Sequence, residues 1–344
     1  MKTRSTLSAV MAATIAIAGL AIDSGSALAG ESVWRMHAAA VETRIEIKNT
    51  QWFADRVGEL SDGALKIEFY PGGSLGVKDA DMLQTLPPGN VVQAALLYPG
   101  YLARDAAEYA VTLPPGVLSE AAMVEEALPT LKTIYDRVYE AAGIRLVGFI
   151  GHAASQTHIF CREPINALDD LKGRKLRVWE EFQIATFGEL GVAAQIIGQN
   201  DLYVALSTGV VDCAVYPAQA AETISLQEVA PHASYLFPFV LHPLTIVVSQ
   251  SAYDALSETQ RAALEKAGQE ATDRSFKAYV EAEYDAPAIE RLKGSGLNMM
   301  SDFSAEDQAA FAKAALKVWR EKADEIGDQA VADVTSVTQA VGLK

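Results

Sequence analysis

Hydrophobic residues along this chain recur with two periods. Short runs that are continuously apolar or alternate with polar residues are separated by longer stretches in which apolar positions return every three or four residues, the pattern of strands interleaved with amphipathic helices. Ser32–His37 reads as a strand, Thr43–Ser61 as a helix, and Leu65–Tyr70 as a strand that stops at Pro71-Gly72-Gly73. Asp79–Leu86 reads as helical, and Val91–Leu97, apolar except for Gln93, reads as a strand buried on both faces. A helix over Met123–Ala142, bent or restarted at Pro129, ends at Gly143 before a strand at Ile144–Ile150.

The second half repeats the alternation. Strands at His152–Phe160 and Lys175–Trp179 flank a polar linker with Pro164, Asn166 and Gly173; helices follow at Phe182–Leu190 and Asp201–Ser207. Val210–Val215 reads as a strand ending at Tyr216-Pro217, and Leu244–Ser249 as one more. Ser257 and Gln260 form a Ser-x-x-Gln capping box that opens a helix from about Glu258 to Leu292, bent by Pro287 near its far end. The last fifty residues are mostly helical, with Phe311, Ala315 and Val318 at helical spacing. This is an α/β pattern, and a long helix after two sets of βα units suits the task of tying two lobes together.

Composition narrows the class. The chain has 344 residues, half of them hydrophobic (50%), enough for more than one core, and a formal charge of −16 with no Lys/Arg-rich run, which excludes a nucleic-acid surface. Lys2 and Arg4, an apolar stretch from about Ala9 to Ile22 and Ala27-Leu28-Ala29 make residues 1–29 read as a secretory signal peptide cleaved before Gly30. The expected product is therefore an exported protein. Cys161 and Cys213 are the two cysteines; export permits a disulfide between them, and two buried thiols are the alternative.

No nucleophile elbow, phosphate-binding loop, His-Glu-x-x-His or Cys-x-x-Cys is present. The histidines His37, His152, His158, His232 and His242 are scattered, and none forms an i,i+4 pair for a metal. The expectation is no enzyme, no cofactor and no metal site.

Leu171-Lys172-Gly173-Arg174-Lys175-Leu176-Arg177-Val178 resembles a segment of the DctP family, the extracytoplasmic solute receptors of TRAP transporters. Further matches run in the family's order: Ser61–Ile67, Tyr70–Gly76, Asp201–Asp212 and Glu228-Val229-Ala230. The resemblance covers nearly the whole chain after residue 30. It implies a two-lobed periplasmic binding protein with a mixed sheet in each lobe, hinge strands and a long helix spanning both. The lobes fall at 30–152 (with about 242–275) and 153–241 (with about 276–344). It also implies hinge closure on a small organic acid and delivery to a sodium-coupled permease of small and large membrane subunits, the receptor acting as a monomer.

In that family the arginine of the Lys-x-Arg-Val strand grips the ligand carboxylate, here Arg177; a planar guanidinium suits that task in a cleft that excludes water. His37 is either a ligand contact or a histidine buried in the hinge, and Tyr98 and Tyr101 follow the strand that presents first-lobe contacts. Ser155-Gln156 stand where some sialic-acid-binding members carry a second arginine, leaving Gln156 as a neutral hydrogen-bond donor. Cys213–Pro217 lacks the acidic residue of metal-binding keto-acid members, while Trp179 and Tyr216 are candidate aromatic walls. Glu180 either points out of the cleft or accepts ligand hydroxyls or an ammonium, and Arg35, Arg44 and Arg145 are the other cations within reach of a cleft. The site so read prefers a monocarboxylate with a flat or apolar body. A secreted enzyme on a bilobal scaffold and a ligand-sensing lobe without transport are the competing functions.

Overall fold

The computed structural model describes residues 31–110, 112–118, 120–151, 157–237, 243–280 and 285–343. Residues 1–29, expected to be a signal peptide, and His152, Ser155, Gln156 and His242 lie outside the described residues. Elements alternate as β1 (Ser32–Ala38), α1 (Ile45–Leu60), β2 (Leu65–Tyr70), α2 (Met82–Thr85), β3 (Ala94–Leu97), α3 (Ala121–Ala141), β4 (Ile144–Ile150) and β5 (Thr157–Cys161). Then come β6 (Leu176–Val178), α4 (Glu181–Glu189), β7 (Ala194–Ile196), α5 (Leu202–Ser207), β8 (Cys213–Pro217), α6 (Ala218–Thr223) and β9 (His232–Phe237). The chain closes with β10 (Leu244–Ser249), α7 (Gln250–Asp254), α8 (Glu258–Val280), α9 (Asp285–Gly294), β11 (Asn298–Met299), α10 (Ala305–Ile326) and α11 (Asp328–Ala340).

Among the described residues the fold is α/β with two mixed sheets. The first has the order β2-β1-β3-β10-β4, in which β1 pairs parallel with β2 and β3, and β10 runs antiparallel between β3 and β4. The second has the order β11-β9-β5-β8-β6-β7, with β5 antiparallel to both β8 and β9 and β6 parallel to β7 and β8. Every residue of β3, β5, β8 and β10 is buried, as expected of central strands covered on both faces. Cys161 and Cys213 face each other in the β5–β8 register and form a disulfide.

The strand expected at Val91 starts at Ala94, because Gln93 is engaged sideways: its Oε1 accepts from Arg35 N at 2.8 Å and its Nε2 donates to Gly89 O at 2.7 Å. The strand expected at Val210–Val215 runs instead over Cys213–Pro217, since Val210 is exposed and the Asp212 carboxylate accepts from Lys175 N at 2.9 Å. The capping box is present: Gln260 Oε1 accepts from Ser257 N at 2.9 Å, and Ser257 Oγ accepts from Gln260 N at 3.3 Å. The run expected as one helix to Leu292 is described as α8 and α9, with residues 281–284 outside the described set and Pro287 in the first turn of α9, where a missing N–H costs little. α8 packs on α1 and β4 of the first sheet, α9 on α6 beside the second.

β4 is an edge strand, and α8 covers its free edge: Thr272 Oγ1 accepts from Phe149 N and Ser275 Oγ from Gly151 N, both at 2.9 Å. α10 packs on α4 and β9, while α11 packs on α3, so the C-terminal helices touch elements attached to both sheets. Trp319 of α10 is fully buried in the apolar cluster that holds Tyr135, Tyr139, Phe182 and Val334.

Candidate functional site

Helix α1 begins at Ile45, two residues later than the hydrophobic period predicts, so Arg44 stays outside it in an extended conformation (φ −73°, ψ 146°) with its side chain free to reach across the molecule. On the other side, Arg177 is the central residue of β6, paired with Gln195 of β7 and Ala214 of β8. Leu176 and Val178 fill the core on one face of the strand, and the alternation sends Arg177 to the other. The two arginines meet at a cavity of ≈ 80 Å³ lined from the first sheet's side by Ala38–Ala40, Glu46, Ile47, Asp79, Leu96, Tyr98, Tyr101 and Leu244 and from the second's by Trp179, Gln199, Tyr216 and Pro217. That volume holds a few waters or one small organic molecule.

Arg177 is 1% exposed. Its Nε donates to Ile197 O at 2.9 Å and one Nη1 hydrogen to Val215 O at 3.2 Å, which locks the guanidinium plane. A guanidinium has five donors, and among the described residues no further partner meets its Nη1/Nη2 end, which borders the cavity. Among the described residues no carboxylate lies within salt-bridge distance of Arg177. Burial and the neighbouring Arg44 lower its pKa, while Tyr216, Tyr101 and Tyr98 act the other way. The rings of Tyr216 and Trp179 lie 5.2 and 5.9 Å from its Cζ.

Arg44 is differently placed. Its Nη1 donates to Gln199 Oε1 at 3.1 Å and lies 3.3 Å from Glu46 Oε1, and its Nη2 donates to Tyr216 OH at 3.3 Å. Burial works against its charge, but Tyr216 and Glu46 outweigh it, so its pKa is raised.

Of the residues singled out in the sequence, Arg177, Tyr98, Tyr101, Trp179 and Tyr216 converge on this cavity. Gln156 lies outside the described residues. His37 is fully buried and does not line the cavity; its Nε2 sits 2.8 Å from Asp79 Oδ1, so it stands behind a wall that Asp79 presents. Arg35 donates to Asn90 O at 2.9 Å and Arg145 pairs with Glu265 at 2.7 Å, both away from the cleft. Arg44 was one of three candidate cations, and Glu46, Asp79 and Gln199 carried no sequence signal, since a lone acid in a first helical turn reads as a favourable dipole contact.

Glu180 turns from the cavity toward the turn after β3. It is 7% exposed; its Oε2 accepts from Tyr98 OH at 3.0 Å, and Tyr98 OH accepts in turn from Trp179 Nε1 at 2.8 Å. Burial pushes the Glu180 carboxyl up to about 8, against the pull of the Tyr98 hydrogen bond. A Cβ on Gly100 would lie 2.3 Å from Glu180 Oε2 and 2.6 Å from the Tyr98 ring, so a larger residue there would have to displace this carboxyl and ring.

The described residues contain no group of His, Cys, Asp or Glu placed to hold a metal, and no helix long and apolar enough to cross a membrane. Burial keeps the Glu180 carboxyl protonated outside the cavity, and inside it stand the Arg44 and Arg177 guanidiniums, the Glu46 and Asp79 carboxylates and aromatic walls, an arrangement suited to binding.

Comparison with known proteins agrees. The chain is 26% identical over 342 residues to the C4-dicarboxylate-binding periplasmic protein DctP of Rhodobacter capsulatus, covering 98% of this chain and 99% of that one. It is 25% identical over 338 residues to the sialic acid-binding periplasmic protein SiaP of Vibrio cholerae, covering 94% and 98%. The fold matches DctP7, a Bordetella pertussis extracytoplasmic solute receptor binding pyroglutamic acid, with a TM-score of 0.80 at 19% identity over 90% of this chain and 99% of that one. The family model DctP covers residues 36–325 and describes receptors rather than enzymes. This chain therefore belongs to the bacterial extracellular solute-binding proteins, family 7.

Proposed function

We propose that this protein captures one small monocarboxylic acid outside the cytoplasm, holds its carboxylate on Arg177, and hands it to a TRAP-type permease of small and large membrane subunits. The observation that carries the reading is Arg177 itself: a buried guanidinium with its outer donors facing a cavity and, among the described residues, no carboxylate to meet them. Desolvating a cation without a counter-ion costs several kcal/mol, and a ligand carboxylate returns that cost. The relatives named above bind carboxylic acids, which supports the class of ligand.

Tyr98, Tyr101, Trp179 and Tyr216 supply flat apolar wall, and Asp79, with one oxygen held by His37, offers the other to a hydroxyl or N–H of the ligand. We read residues 30–152 with about 242–275 and 153–241 with about 276–344 as two lobes that close on the acid, the receptor acting as a monomer. The division of strands between two sheets supports this boundary. Export with cleavage near Ala29 fits the disulfide between Cys161 and Cys213, a bond of oxidising compartments.

A thermal-shift screen of the protein lacking residues 1–29 against organic acids, followed by calorimetry and NMR of the recovered ligand, tests the reading. Stabilisation by a monocarboxylate that is recovered unchanged is the expected result. Chemical conversion of the acid, or stabilisation by neutral compounds alone, would overturn it.

A further inference from the structure

Arg44, the second guanidinium of the cleft, is already neutralised. Glu46, two residues on in the first turn of α1, lies 3.3 Å from its Nη1, is 1% exposed and lines the same cavity. Arg44 Cζ and Arg177 Cζ lie 5.9 and 5.2 Å from the centre of the same Tyr216 ring, and both residues line the same cavity. The other acid of the wall, Asp79, is engaged by His37 at 2.8 Å and leaves the Arg44–Glu46 pair undisturbed.

We propose that Glu46 sets the charge of the ligand: by holding Arg44 in an internal ion pair it leaves Arg177, among the described residues lining the cavity, as the one cation open to a carboxylate, and the cleft turns dianions away. The proposal rests on Arg177 as the carboxylate receptor and adds the residue that limits the site to one. A second carboxylate arriving at Arg44 has either to displace Glu46 or to lie buried beside it, and like charges in a desolvated site repel strongly. Arg44, Gln199 and Tyr216 also wall a neighbouring pocket of ≈ 190 Å³, so space adjoins Arg44. Neutralising Glu46 without changing its shape leaves Arg44 held by Tyr216 and Gln199 but with its charge unmet, which makes the cleft a receptor for two carboxylates.

The test compares wild type, Glu46→Gln and Glu46→Gln/Arg44→Gln by calorimetry against three monocarboxylates (lactate, pyroglutamate, benzoate) and three dicarboxylates (succinate, malate, glutarate), with circular dichroism as the check on folding. Wild type should bind a monocarboxylate best. Glu46→Gln should raise the affinity of the best dicarboxylate relative to the best monocarboxylate about 10- to 100-fold, the value of one charge-assisted contact, and the double variant should remove that gain. A ratio unchanged within about threefold in Glu46→Gln, failure of every dicarboxylate to bind it, or a wild type that takes a dicarboxylate as tightly as any monocarboxylate overturns the proposal. Arg177→Ala reports separately on the underlying reading, because it leaves the Arg44–Glu46 pair in place: retained affinity there defeats the receptor site whatever Glu46 does.

Discussion

Arg177 is braced from behind and open in front, so its replacement has two consequences. Arg177→Ala removes the proposed counter-ion of the ligand and leaves the carbonyls of Ile197 and Val215 without their donor. Binding of the acid found by screening should weaken by about 100-fold or more, and Arg177→Lys should recover part of that, because an ammonium keeps the charge but not the planar fork. Wild-type affinity in Arg177→Ala by calorimetry would refute the assignment. Glu180 makes a prediction about pH. Its carboxyl, at about 8 in the folded protein against 4.5 ordinarily, keeps a proton that the unfolded chain gives up between those values. The stabilisation is therefore complete below about 4.5, declines as pH rises and is gone above about 8, at up to roughly 1.4 kcal/mol per pH unit. Glu180→Gln should flatten this part of the melting-temperature profile and gain on wild type as the pH is raised; superimposable profiles from pH 5 to 9 would show that Glu180 does not titrate in this way.

Among the elements, α8 and β4 show how backbone proximity decides stability. A Cβ on Gly268 of α8 would lie 2.4 Å from Val147 O, and one on Gly148 of β4 would lie 2.5 Å from Gly268 O. In a free helix Gly→Ala is worth about 1 kcal/mol in favour of alanine. Here the obstructing atoms are carbonyls that cannot rotate away, and overpacking costs about 1–3 kcal/mol, so Gly268→Ala should destabilise. Chemical denaturation with an unchanged slope and a lower midpoint is the expected result, and a raised midpoint would count against this packing. Strands β1, β2, β4 and β10 were legible as apolar runs. β7, β9 and β11 were not: β7 is short and half exposed at a sheet edge, β11 has two residues, and β9 begins His232-Ala233-Ser234, so each exists because a neighbouring strand offers a ladder to it.

At the scale of the whole molecule the cleft is bridged by side chains. Arg44 reaches Gln199 and Tyr216, and Tyr98 meets Trp179 and Glu180, each pair joining an element on the first sheet's side to one on the second's. In the two-lobe reading these contacts, together with a ligand on Arg177, exist only where the lobes meet, so ligand should shift the population toward the closed form. Small-angle scattering at saturating acid should give a smaller radius of gyration than the acid-free protein. An equal radius in both conditions would mean a cleft closed before the ligand arrives.

The sequence by itself determined the α/β class, the buried central strands, the capping box of α8 and the arginine of β6, because each is a local matter of periodicity, of a hydroxyl three residues from an amide, or of one residue's place in a short motif. Tertiary structure decided the rest of the site. His37 and Arg44 are both polar residues near the first β–α junction; packing sends His37 behind Asp79 and Arg44 into the cavity. Glu46 and Glu180 likewise look alike in sequence, an acid at a helix start, yet one pairs with an arginine inside the cavity and the other is buried against Tyr98 outside it. Partners 155 and 172 residues away, Gln199 and Tyr216, fix where Arg44 ends. Charge and hydrogen bonding act through space, and only the folded chain sets those distances.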